Sequence, residues 1–168
     1  PVPVRFDEIS SGAKGYYSNT EKEIVIQNGM SESQTMKTGI HEVTHAMLHD
    51  RDFMEEQGEK KNQMTKEVEA ESVAYTVCQY FGLDTSDYSF PYIAGWSSSM
   101  DMKELRTSMD TIRKTAGSFI DSMTEVIQRL MREQPELSLS AMKQAEILIE
   151  RVEQERTLFS GEERNLLV

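Results

Sequence analysis

Residues 41–45 read His-Glu-Val-Thr-His. On a helix, His41 and His45 stand one turn apart, about 6 Å along the axis, and point the same way. Two imidazoles at that spacing can converge on one divalent ion. Glu42 lies roughly 100° round the helix from His41. Its carboxylate can reach a metal-bound water there without being a ligand. Two ligands and a general base on one turn is the layout that metal-assisted hydrolysis needs. The plain alternative is a helix with two incidental histidines. An apolar helix makes that alternative costly, because uncommitted polar groups would be buried in it.

The chain has three histidines, and the third, His49, continues the same face. It sits roughly 12 Å from His41 along the axis, too far to share one tetrahedral ion. It is expected to bond to a ligand rather than to the ion, or to be a polar group at the helix C-terminus favoured by the dipole. A catalytic zinc needs a third protein ligand and an open position for water. With no histidine left, a carboxylate or Cys78 must serve. Residues 67–71 read Glu-Val-Glu-Ala-Glu. Glu67 and Glu71 share a helix face, and Glu69 is expected to point away, to solvent or a local bond. One of the facing pair would bind the ion. The other would accept the second N–H of a ligand histidine and so fix its tautomer. Alone, three glutamates on an acidic helix read as solvated side chains. Beside His-Glu-x-x-His, the metal reading prevails. Zinc is preferred to manganese or iron from the ligand types. Cys78 reads as a small buried residue.

These residues need elements to position them. Gly15–Ser18 and Glu23–Ile26 flank a polar tetrapeptide, which predicts a hairpin, and Asn28-Gly29 ends its second strand. Ser31 with Gln34 has the form of a capping box. It opens a helix predicted over 32–50, with Met36, Ile40, Val43 and Met47 as its apolar stripe. Residues 51–62 read as a charged loop. A second helix is predicted over 63–81, burying Met64, Val68, Val73, Val77, Tyr80 and Phe81, with Gly82 at C′. Residues 83–99 read as an irregular connection. The remainder reads as helical. Leu105, Met109 and Ile112 share one face, and Phe119, Met123, Val126, Ile127 and Leu130 make a second run up to Pro135. A last helix follows over roughly 138–152. The eleven methionines are expected on these apolar faces as core filler.

At 168 residues a single domain is expected. It divides into a β-rich edge (1–30), the two active helices (31–82) and a helical C-terminal part (100–160). Lys+Arg is 18 and Asp+Glu is 29, a net charge of −11. That surface repels phosphate backbones and anionic membranes, so direct binding of nucleic acid or membrane is not expected. No apolar run approaches the ~18 residues of a membrane span. The first ten residues, PVPVRFDEIS, lack the regions of a signal peptide, and one cysteine forms no internal disulfide. An intracellular, reducing, cytoplasmic location is expected. With no starting Met, the chain is read as part of a longer protein, whose other domains would be partners.

GIHEVTHAMLH followed by KEVEAESVAYTVCQYFGLD resembles the gluzincin-like metallopeptidase domains of the ImmA/IrrE group. Tyr92-Ile93-Ala94-Gly95-Trp96 is similar to the tyrosine–tryptophan stretch of ArdC-type antirestriction proteins and of related metallopeptidase domains in polyvalent proteins of mobile elements. The likeness covers about residues 10–130. It implies an α+β, zincin-like fold and one Zn2+. His41, His45 and Glu67 would be the ligands, with Glu42 as the base and Glu71 beside a ligand histidine. Tyr92 would be the donor to the oxyanion, with Tyr16 or Tyr17 behind it. The substrate would be a protein or peptide, and the strand around Ile24 could pair with it in extended form. The single-stranded-DNA-binding domain of ArdC-type proteins has no counterpart here, so their DNA-related activity does not carry over. A metal-containing protein-binding module is the alternative. A closed structural zinc site is disfavoured, since the chain has no Cys pair.

Overall fold

Asn19-Thr20-Glu21-Lys22 folds back between two β-branched and aromatic runs, as the spacing predicts. The computed structural model describes residues 2–58, 60–83, 96 and 101–133. Strand β2 (Gly15–Ser18) pairs antiparallel with β3 (Glu23–Gln27), with Tyr16 opposite Val25 and Tyr17 opposite Ile24. The turn closes by a bond from Lys22 N–H to the Ser18 carbonyl, with Lys22 at φ +54°.

A strand the sequence did not announce changes the sheet. β1 (Val4–Asp7) runs parallel to β3 on its other side, giving the order β1-β3-β2. β3 is therefore the central strand, and Ile24, Val25 and Ile26 are all buried. The strand around Ile24 has neighbours on both sides and cannot accept a peptide. β2 is the edge strand beside helix α1, so on that side the open strand edge belongs to Gly15–Ser18 and not to β3.

Helix α1 (Glu32–Leu48) starts where Ser31 accepts a bond from the Gln34 N–H at 3.3 Å, and ends two residues short of the predicted limit. It packs against β2 and β3 and against α3 (Gln63–Tyr80). Its buried residues are Thr38, Ile40, Glu42 and Thr44. Met36 and Met47, expected in the core, are 44% and 46% exposed. The inward face of α1 is occupied by polar residues that meet the sheet and the site, so the apolar spacing overstated its core.

The stretch 51–62 is not all loop. Helix α2 (Arg51–Gln57) forms because Asp50 caps the N–H groups of Asp52 and Phe53 and Gly58 closes it in the left-handed conformation, φ +66°. It buries only Met54, so its hydrophobic pattern is too sparse to reveal it; caps at both ends define it instead. α3 ends in a Schellman motif, with Gly82 N–H bonded to the Gln79 carbonyl and Leu83 N–H to that of Cys78. Val68, Val73, Val77 and Cys78 are buried on α3, whereas Met64 and Tyr80 are exposed.

Helix α4 (Met102–Glu133) is capped by the Asp101 carboxylate. Its buried residues are Ser108, Ile112, Thr115 and Ala116, while Met109 stands in solvent. The described residues fall into two compact units, 1–121 and 122 onward. In the second, Val126, Ile127 and Leu130 are exposed. The expected helix over 138–152 lies outside the described residues, as does most of 83–99. None of the described helices is long and apolar enough to cross a membrane.

At Gly15, β2 packs tightly against α1. A Cβ there would lie 2.6 Å from Thr38 Cγ2 and 3.2 Å from Glu42 Cγ. Gly15→Ala is expected to destabilise the chain by about 1–3 kcal/mol through overpacking. Adding Thr38→Ser removes the nearer methyl and should restore much of that loss, as read from urea midpoints. Equal midpoints for wild type and Gly15→Ala would show that this contact is loose.

Candidate metal centre

One turn of α1 carries His41 and His45, and the facing turn of α3 carries Glu67 and Glu71. The two Nε2 atoms of His41 and His45 lie 3.0 Å apart, and Glu67 Oε2 lies 3.5 Å from the first and 3.6 Å from the second. With bonds of about 2.0–2.1 Å, tetrahedral zinc sets its donor atoms roughly 3.3–3.4 Å apart. The three separations average close to that edge. Among the described residues, His41, His45 and Glu67 form the cluster that could hold a metal ion. Gln63 bonds the other Glu67 oxygen at 2.5 Å.

The partners behind these residues are distinct. Glu71 Oε2 lies 3.2 Å from His41 Nδ1, and its other oxygen lies 3.5 Å from Lys37 Nζ. On His45 the rear nitrogen faces His49 instead, Nδ1 to Nδ1 at 3.0 Å. The structure thus brings Glu71 and His49 to different histidines.

Glu42 is buried and lines the same cleft, of about 380 Å³, as His41, His45 and Glu67. Burial pushes its carboxyl above the ordinary carboxylate value, against the pull of His41 and His45 and, less, of the nearby Tyr17 backbone. Glu67 is held well below that value by bonds to His41 and His45. At Glu71, burial is outweighed by His41 and Lys37, which also lower it.

The opposite wall is the edge strand. Lys14 accepts from the Gln27 N–H, so alternate residues of β2 turn to β3, while Gly15 and Tyr17 direct their backbone groups outward. Three links tie the hairpin to the start of α2, just past the end of α1. Tyr17 donates its hydroxyl to Asp50 Oδ2 at 2.6 Å, Lys22 Nζ pairs with the same oxygen at 2.6 Å, and the Arg51 N–H bonds Asn19 Oδ1 at 2.7 Å. Burial works against the Asp50 carboxylate, but Lys22 and Tyr17 hold it at about 2. Burial and Asp50 push Tyr17 up to about 12. The Tyr17 hydroxyl is therefore committed to Asp50 and is withdrawn as an oxyanion donor. Tyr16 lines the cleft and is exposed. Tyr92 lies outside the described residues. Trp96, from the same stretch, is buried, with its indole N–H bonded to Thr65 Oγ1 at 3.2 Å.

Glu69 does not face solvent. It is 0% exposed, bonding His49 Nε2 at 2.9 Å and Lys61 Nζ at 2.9 Å. Burial would raise it, but His49, Lys61 and Ser108 hold it below the ordinary value. At His49, burial favours the neutral ring and outweighs Glu69. A signal for this was present. Glu69, Val73 and Val77 recur every fourth residue, so Glu69 stands in the apolar stripe of α3.

At His41, burial favours the neutral ring, but Glu67 and Glu71 outweigh it and raise the imidazole to about 9. In the ion-free protein these ion pairs stabilise the fold fully below the ordinary histidine value of about 6.5. That contribution is lost as pH rises through about 9. Ion binding needs the neutral ring, so zinc uptake at pH 7 is expected to release about one proton. Titration calorimetry in buffers of differing ionisation heat reads that number, and zero release would contradict the His41 assignment.

No family model and no solved structure matches the chain. It is similar to an uncharacterized protein of Bacillus anthracis, pXO2-81, at 36% identity over 112 residues, 66% of this chain. The chain spans 18% of that relative's length.

Proposed function

We propose that this chain is a zinc-dependent metallopeptidase domain of zincin-like fold that hydrolyses peptide bonds with Glu42 as general base. The observation that carries the reading is the tetrahedral spacing of His41, His45 and Glu67 with the buried Glu42 in the same cleft. A pure scaffold for an ion has no use for Glu42. The resemblance to the ImmA/IrrE group and to ArdC-type domains points the same way.

Zinc held there would lower the pKa of a water toward ~7 and polarise the scissile carbonyl. The chain's own residues do the rest. Glu42, which lines the cleft with the two histidines and Tyr17, accepts a proton from the attacking water and delivers it to the leaving amine. Its raised affinity for protons suits that exchange. The outward backbone groups of Gly15 and the Tyr17 carbonyl offer an extended peptide a partner strand. Tyr92, or Tyr16 among the described residues, donates to the oxyanion. The substrate is a protein or peptide, and the single cysteine fits a bacterial cytoplasmic setting.

Metal analysis of the purified chain, followed by digestion of a broad peptide library with and without chelator, tests this. The expected result is one zinc per chain and chelator-sensitive cleavage. A zinc-bound chain that cleaves nothing would overturn the peptidase reading in favour of a metal-containing binding module of an antirestriction-like protein. A chain that takes up no metal would overturn both.

A further inference from the structure

The least expected group in the molecule is Glu69, a fully buried carboxylate in the apolar stripe of α3. Its Oε2 meets His49 and Lys61, while Oε1 has no well-formed hydrogen bond, with the Ser108 hydroxyl near the carboxylate. Burying a charge this deeply is costly unless its partners use it. Following the bonds outward from Glu69 leads through His49 to His45.

The protons along this chain are determined by the geometry. A ligand nitrogen must offer its lone pair, so with Nε2 of His45 turned to His41 and Glu67 the ring proton sits on Nδ1. Nδ1 of His49, 3.0 Å away, must then be the acceptor. That leaves the His49 proton on Nε2, 2.9 Å from Glu69 Oε2. Each donor meets one acceptor, ending at a carboxylate anchored by Lys61. His41 has its own carboxylate, Glu71, in direct contact. Among the described residues, His45 has none at its Nδ1 and reaches one from there through His49.

We infer that Glu69 and His49 act in series as positioning residues for His45, fixing its tautomer and ring orientation and strengthening it as a ligand through a carboxylate–imidazole–imidazole relay. The inference rests on the zinc reading above and goes beyond it by assigning a role to a residue two positions from the proposed ligand Glu67. Partners behind a metal ligand typically change affinity by roughly 10–100-fold when removed.

Zinc affinity of the full chain, measured by competition with a chelator, tests the relay, with circular dichroism as the check on folding. Wild type is titrated first. If it holds no zinc, the zinc reading itself falls. If it binds, Glu69→Gln, which keeps the volume and removes the charge, should weaken zinc roughly 10–100-fold. His49→Asn, which cannot span from His45 to Glu69, should lose a similar factor. The double variant should lose little more than either single one, because residues in series share one effect. Val77→Ala, at a fully buried position of the same helix, should lower stability and leave affinity unchanged, which separates positioning from general loosening. Should Glu69→Gln fail to fold, His49→Asn alone decides the matter. Wild-type affinity in a folded Glu69→Gln or His49→Asn chain, or fully additive losses in the double variant, would overturn the relay while leaving the zinc reading standing.

Discussion

Glu42→Gln is expected to leave zinc bound and to remove peptide hydrolysis. The amide keeps the shape of the carboxylate, so the packing of this side chain between α1 and Gly15 of β2 survives. What disappears is a group able to take a proton. General-base catalysis is worth about 100–10,000-fold, and here no other described carboxylate in the cleft is free for the task. Glu67 is tied to the two histidines and to Gln63, and Glu71 stands behind His41. The loss should appear in kcat with little change in KM. Metal content and cleavage rate measured on one preparation check it; full activity in a zinc-loaded variant would remove Glu42 from the mechanism.

Glu67→Ala is expected to empty the site. The two imidazoles remain 3.0 Å apart on one helix turn, but two donors on a single element hold zinc poorly without a third. The loss of affinity should exceed the roughly 10–100-fold that removing a partner behind a ligand costs. Glu71→Ala should fall within that smaller range, since its carboxylate meets Nδ1 of His41, on the ring edge away from the cluster. Dialysis against dilute chelator followed by metal analysis ranks the two. The reverse ranking, with Glu71→Ala losing zinc and Glu67→Ala retaining it, would exchange their roles.

Much of this arrangement was legible in the sequence because it depends on short-range periodicity. A spacing of four on a helix places His41 beside His45 and Glu67 beside Glu71 whatever surrounds them. Ser31, Gly82 and the tetrapeptide 19–22 act within a few residues of themselves, and the boundaries they imply agree with the structure to within two residues. The metal cluster needed one further assumption, that α1 and α3 face each other, and they do.

Three features escaped the apolar periodicity. β1 alternates Val4 and Phe6 with Arg5 and Asp7, a strand pattern only four residues long that follows Pro3 and buries none of its residues; the backbone of β3 recruits it. α2 buries one residue and owes its existence to Asp50 and Gly58. Glu69 reads as the solvated member of a glutamate triplet until His49, Lys61 and Ser108 arrive from three other parts of the chain. For β1 and for the partners of Glu69 the deciding contacts come from elsewhere in the chain, whereas α2 rests on its two local caps, which a search for apolar stripes passes over.

The amino-acid sequence by itself determined which residues can share an ion and which helix face carries them, since helix geometry converts spacing directly into direction. Only the tertiary structure decided what stands behind each of them. It placed Glu71 behind His41 and the His49–Glu69 pair behind His45, turned β2 rather than β3 to the cleft, and took the Tyr17 hydroxyl away to Asp50. The physical reason is that a buried polar group must find a partner wherever packing brings one, and packing joins elements whose order along the chain does not reveal their neighbours.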